Sequence, residues 1–209
     1  MTRRWQIADA PSTLQLNEIA KVLMSGSVVL MPTDTIYGLH ALATNEDAVA
    51  RVADIKGREE TKPFIVLASS IEQLEPLGII AERKTLHALA SIWPAPLTAI
   101  LPLRESIAAS RGASTLAVRI PALEWLRELV ARTGPLVSTS ANRSGERAVD
   151  DPNFLARDLQ EQLDAVVDGG VRNGEPSAIL DLTSGEPHFL REGEESFTQK
   201  VWKTLRKTL

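Results

Sequence analysis

The sequence predicts one α/β domain: a twisted mixed β-sheet flanked by helices, the layered arrangement that alternating strand and helix signals favour. Three observations carry that expectation. Short apolar runs of strand length alternate with windows of helical periodicity. The length, 209 residues, suits one sizeable domain. No repeat, low-complexity stretch or long linker divides the chain. The domain is expected over 1–195, followed by a short basic tail over 196–209 with no second domain.

Each element has a local reason. Leu14, Leu16, Ile19, Ala20 and Leu23 are spaced as one face of an amphipathic helix over 14–25. Residues 28–31 read as a buried strand stopped by Pro32. Thr44, with Asp47 three residues on, pairs as a cap for a helix that turns Val49, Val52 and Ile55 inward and ends near Gly57. Residues 64–67 form a second buried strand, and Ser70 with Gln73 resembles a capping box.

After a helical stretch around 82–92, Trp93-Pro94-Ala95-Pro96 is a stiff extended connection, because two prolines fix φ and forbid helix. Strands over 97–101 and 116–120, a helix over 123–131 and a strand over 136–140 follow. Asp151-Pro152 is an N-cap and first-turn pair for a helix to about Leu163. Strands at 165–168, 178–182 and 188–190 come next, with turns at Gly169-Gly170 and Asn173-Gly174. The tail from Ser196 forms a basic helix.

Composition narrows the function classes. No run approaches the roughly 20 apolar residues of a membrane span. Polar residues rather than an apolar core follow the N-terminal Met-Thr-Arg-Arg-Trp-Gln, so no signal peptide is read. The absence of cysteine excludes disulfides, thiolate metal sites and cysteine nucleophiles. A cytoplasmic location is the expectation. A net charge of −4 argues against a protein that coats nucleic acid, and 4% aromatics against a base-stacking platform.

Two segments look made for one anionic ligand. In the first, Thr33, Asp34, Thr35 and Tyr37 follow a buried strand, where ligands of open α/β sheets usually bind. Beyond the next helix lie Lys56, Arg58 and Lys62, and Arg and Lys are the phosphate-binding side chains. The other readings are a polar turn with its own Asx hydrogen bonds and simple compensation of the helix dipole. In the second segment, 138–145, four hydroxyls and Asn142 leave an apolar strand and can nest a phosphate, or can form a plain Ser/Asn/Gly turn. There is no P-loop, no Gly-x-Gly-x-x-Gly and no Gly-x-Ser-x-Gly elbow. His40, His87 and His188 lack metal-ligand spacing and read as structural. The residues alone thus point to an anion-binding α/β protein.

At these positions the chain resembles the YrdC-like family, the threonylcarbamoyl-AMP synthases. The matching segments are Pro-Thr-Asp-Thr-Ile-Tyr-Gly-Leu from 32, Lys-Gly-Arg from 56 with Lys-Pro from 62, and Trp-Pro-Ala-Pro-Leu-Thr from 93. Val-Arg-Ile-Pro from 118, Ser-Ala-Asn-Arg-Ser-Gly from 140, Asp-Gly-Gly from 168 and Leu-Arg-Glu-Gly from 190 complete the set, in the family's order. The resemblance implies an enzyme, a nucleotidyltransferase of the single-domain bacterial type. It joins L-threonine, bicarbonate and ATP, with Mg2+, into threonylcarbamoyl-adenylate and pyrophosphate, for threonylcarbamoyladenosine modification of tRNA.

The resemblance also implies site roles. Lys56, Arg58, Lys62, Ser140, Asn142 and Arg191 would serve ATP, with Lys56 and Arg58 catalytic. Thr33, Thr35, Tyr37, Arg119 and Ser177 would hold threonine, Arg119 through its carboxylate. Implied partners are transient tRNA and a downstream threonylcarbamoyl-transferase complex, with no membrane. Among the departures from the pattern, His40 replaces a Gly, and Ala178 replaces a Thr, which is expected to remove a hydroxyl beside the threonine site. The competing expectations are a YciO-like paralogue with weak or different nucleotide chemistry, and an RNA-binding module.

Overall fold

The computed structural model describes residues 2–57, 63–184 and 186–208. In chain order come β1 (Arg3–Gln6), α1 (Thr13–Met24), β2 (Val29–Pro32), β3 (Tyr37–Leu42), α2 (Glu46–Lys56) and β4 (Ile65–Leu67). Next are α3 (Arg83–Ala90), β5 (Leu97–Pro102), β6 (Thr115–Arg119), α4 (Glu124–Thr133) and β7 (Leu136–Ser140). The chain closes with α5 (Arg157–Gln160), β8 (Ala165–Asp168), β9 (Ala178–Asp181), β10 (His188–Arg191) and α6 (Glu195–Thr208). Among the described residues these strands form one mixed ten-stranded sheet, ordered β1-β8-β2-β3-β7-β4-β6-β5-β9-β10. The expected α/β class with a mixed sheet is what the chain adopts.

Strand parity sorts the side chains into two cores. Leu30, Tyr37, Leu39, Val66, Val137 and Leu180 join a large cluster with residues of α2, α3 and α6. Their neighbours Val29, Met31, Leu67, Leu136 and Val167 turn to the opposite face, against α1 and α4. Burial on both faces is why these strands read as continuous apolar runs instead of alternating ones.

Several local expectations are corrected. Asn45, not Thr44, caps α2: its side chain accepts from Ala48 N at 2.9 Å, and Gly57 in the left-handed conformation ends the helix. Ser70 makes no side-chain cap bond; Gln73 instead accepts from Ser69 N at 2.8 Å. The Trp93–Pro94 bond is cis, and 94–96 is a bend, not an extended connection.

The helix expected to run from 151 to 163 is broken. Asp151 does cap, accepting from both nitrogens of Asn153, but this closes only a short 3-10 turn before Leu155 becomes extended. Only four residues of α5 follow, and Leu155, Leu159 and Leu163 still reach the large core. Two strands have no counterpart among the expected elements. In β1, Arg-Arg-Trp-Gln offers only Trp5 to the core. In β3, Gly38 and His40 interrupt the apolar signal, yet the strand is enclosed between β2 and β7.

Candidate active site

The sheet order brings the distant motifs together. A narrow cleft with a cavity volume of about 50 Å³ is lined by Thr33, Thr35, Ile36, Gly38, Ile65 and Arg119, and by Ser138, Pro176, Ser177 and Arg191, with Tyr37 also on its margin. Ser138 stands opposite His40 on one side and Ile65 on the other, so these three share a face of the sheet. That face is the one opposite the larger core.

The turn between β2 and β3 is wired by hydroxyls. Thr33 Oγ1 accepts from Thr35 N at 3.1 Å and Ile36 N at 3.2 Å, and donates to Ile36 O at 2.8 Å. The Thr33 and Thr35 hydroxyls are paired at 2.8 Å. Thr35 Oγ1 in turn accepts from Arg119 Nη1 at 3.0 Å. Arg119 Nη2 lies 3.4 Å from Asp34 Oδ1, while Asp34 Oδ2 accepts from Ala122 N at 2.9 Å. Burial lowers the Arg119 pKa and nearby Arg191 adds to this, against the opposing pull of Asp34. Arg119 Nε and Asp34 Oδ1 nevertheless have no hydrogen-bond partner. A buried guanidinium with an unused donor, on a cleft wall, is suited to a carboxylate.

Ser177 Oγ and Thr98 Oγ1 are paired at 2.8 Å, and Arg191 Nε donates to Ser177 O at 2.8 Å. Arg191 owes its aim to a bulge: Phe189 pairs with Leu180 and Arg191 with Ile179, leaving Leu190 as the extra, exposed residue. Ala178 belongs to the larger core and does not line the cleft. Strand alternation turns residue 178 into that core, away from the face that bears Ser177, so a hydroxyl there would not reach the cleft.

Tyr37 is also redefined. Its ring lies in the larger core, and its hydroxyl accepts from Gly169 N at 2.9 Å and donates to Gly170 O at 2.8 Å. Burial pushes the phenol pKa up. Tyr37 thus fastens the 169–170 turn through its hydroxyl while also lining the cleft. The chain that follows this turn crosses the Thr33–Thr35 turn so closely that a Cβ on Gly174 would lie 1.8 Å from Thr35 O.

Lys56, 3% exposed, reaches the end of β7. Its Nζ donates to Ser140 O at 2.6 Å, Ser140 Oγ at 3.0 Å and Asn142 Oδ1 at 2.5 Å. Asn142 Nδ2 donates to Arg143 O at 2.8 Å and Glu146 O at 2.5 Å. The lysine and the asparagine therefore organise the Ser140–Glu146 turn before either meets a ligand. Arg58 and Lys62 lie outside the described residues. The sequence expectations include Ser138 in the 138–145 segment, Gly38 in the segment from 32 and Thr98 in that from 93 without individual roles, and they omit Ile65 from the site. Parity with Ser140 along β7 was the available signal for Ser138; Gly38 and Ile65 carry no chemistry of their own.

A family model named Sua5_yciO_yrdC and described as telomere recombination matches residues 21–193. The chain belongs to the Sua5/YciO/YrdC family. Members named threonylcarbamoyl-AMP synthase include one from Pyrococcus abyssi, 36% identical over 83% of this chain and 52% of its own length. Another, from Bacillus subtilis, is 35% identical over 92% of this chain and 58% of its own. A third, from Coxiella burnetii, is 34% identical over 83% and 96%. The chain thus spans little more than half of the first two relatives and nearly all of the third.

Among solved structures, P. abyssi Sua5 complexed with L-threonine superposes with a TM-score of 0.86 at 33% identity, over 96% of this chain and 61% of that one. Escherichia coli YciO, at 23% identity and a TM-score of 0.81 over 93% and 97%, shares the fold. Among the described residues of this family member, no helix is long and apolar enough to cross a membrane.

Proposed function

We propose that this chain is a threonylcarbamoyl-AMP synthase, a cytoplasmic nucleotidyltransferase that converts L-threonine, bicarbonate and ATP into threonylcarbamoyl-adenylate and pyrophosphate. The observation that carries the reading is the buried Arg119, held by Asp34 and Thr35 on the cleft wall with Nε unused. Family membership, the names of the relatives and the P. abyssi Sua5 complex with L-threonine support it.

The threonine nitrogen adds to the carbon of CO2 and gives up a proton, or displaces water from bicarbonate, giving a carbamate in either case. A carbamate oxygen then attacks the α-phosphorus of ATP while the bond to the bridging oxygen breaks and pyrophosphate leaves. Neither step needs a protein nucleophile; both need orientation and charge neutralisation. Arg119 takes the threonine carboxylate, with Thr35 and Ser177 beside it and Thr33 bracing the turn. Arg191, Lys56, Ser140 and Asn142 shape the nucleotide side, to which Arg58 and Lys62 add charge. Magnesium enters with the nucleotide as the MgATP complex. The adenylate is passed to a threonylcarbamoyl-transferase complex acting on tRNA, with which this chain makes at most transient contact.

Pyrophosphate release by the purified chain with MgATP and bicarbonate, with and without L-threonine, tests the reading. Release that requires both threonine and bicarbonate supports it. ATP binding without such release would favour a YciO-like paralogue, and salt-sensitive RNA binding without turnover an RNA-binding module.

A further inference from the structure

His40 is fully buried on β3, directly opposite Ser138 of β7. Its Nε2 lies 3.2 Å from Ser138 Oγ, and its Nδ1 has no hydrogen-bond partner. The ring lies so close against Gly38 that a Cβ there would stand 2.9 Å from Cε1 and 3.2 Å from Nε2. Gly38 and Ser138 line the cleft; His40 lies behind them and does not.

An aliphatic side chain would fill this space without a desolvated ring nitrogen, and burying such a group unpaired is destabilising. Beside the backbone of Val29 and Gly38, which favours its charged form, the imidazole adds a side-chain hydrogen bond to the Ser138 hydroxyl. A serine hydroxyl has a single proton and rotates to suit its surroundings. A fixed partner behind the wall settles which way it turns.

We propose that His40 is a positioning residue: its imidazole holds the Ser138 hydroxyl in one orientation, so that Ser138 presents a fixed hydrogen-bonding group to the amino-acid substrate in the cleft. The inference rests on the synthase reading for the identity of that substrate. Burial, followed by the charge of Arg119, pushes the His40 pKa down to about 3. The ring is therefore neutral at physiological pH, and it holds Ser138 without acting as a proton acceptor for the reaction.

The test is a double-mutant cycle read by calorimetric L-threonine binding and by the KM values for threonine and ATP. His40→Leu is expected to weaken threonine binding about three- to tenfold, the worth of one hydrogen bond, with the KM for ATP unchanged. Ser138→Ala should do the same, and the double variant should be no worse than Ser138→Ala alone. His40→Gln, whose amide reaches toward Ser138, should restore most of the affinity. If His40→Leu does not fold, the smaller His40→Ala, which also lacks the bond to Ser138, takes its place in the cycle.

Additive losses, equal effects on threonine and ATP, or wild-type affinity in His40→Leu would overturn the proposal. Wild-type protein that binds threonine but releases no pyrophosphate would sink the synthase reading and leave the His40 cycle measurable. Wild-type protein that binds no threonine would sink both.

Discussion

Lys56 is buried at the end of β7. Its ammonium is held by Ser140 O, Ser140 Oγ and Asn142 Oδ1. Lys56→Met keeps the stem but strands those acceptors, at a cost of about 1–3 kcal/mol for each left unpaired. We expect a lower urea midpoint together with loss of pyrophosphate release; an unchanged midpoint would show that the ammonium does not brace the turn. His40 adds a pH signature. Its folded pKa, about 3, lies below the ordinary 6.5, so between these values the unfolded chain binds the extra proton. The His40 contribution is therefore intact above about pH 6.5 and falls by about 1.4 kcal/mol for each unit of acidification below it, until the folded pKa is reached. In His40→Leu this component vanishes, and the fall in denaturation free energy from pH 6.5 to 5 should be shallower by about 2 kcal/mol. Parallel curves for the two proteins would contradict it.

Between elements, the decisive contact is the crossing of 169–177 over the Thr33–Thr35 turn. Gly174→Ala places a methyl carbon 1.8 Å from Thr35 O, so the loop must lift away. The sheet does not depend on it, and the expected result is at least a tenfold rise in the KM for threonine with a native circular dichroism spectrum. A wild-type KM would show that the crossing is not needed to shape the cleft. Much of this scale was legible in the sequence. Runs such as 136–140 gave strands because burial on both faces demands apolar residues; Thr33 and Thr35 of the first motif meet Ser138 of the second at the cleft, while Ser140 and Asn142 do not line it and are held by Lys56. Strand β3 was not legible, because Gly38 and His40 are explained only by neighbours that the chain supplies about a hundred residues later. Register was not legible either. It decides that Ser177 faces the cleft while Ala178 faces the core, and that a bulge at Leu190 aims Arg191. The broken helix after Asp151 failed for a local reason, the Asn153 side chain competing for the capping carboxylate.

At the scale of the molecule, α6 combines an apolar inner face with a basic outer one. Val201 and Leu205 lie in the larger core, Trp202 meets Phe189 edge-on at 5.5 Å, and Gly193 sits against the Ala178 methyl. The helix thereby backs β10, the strand that ends in Arg191. Lys200, Lys203, Arg206 and Lys207 are exposed on its other side. These two faces make separable predictions. Leu205→Ala removes a buried side chain, an effect worth about 2–5 kcal/mol, and should lower the melting temperature and, through β10, the affinity for ATP. Lys203→Glu with Arg206→Glu touches only the solvent face, where substitutions shift stability by about 0.5 kcal/mol or less. If tRNA rests on this face, charge reversal should weaken its binding and flatten the salt dependence, because fewer phosphate counterions are released. Melting curves and tRNA filter binding at two salt concentrations read both effects. Unchanged tRNA binding after charge reversal would leave α6 with its packing role and place any tRNA contact elsewhere on the molecule.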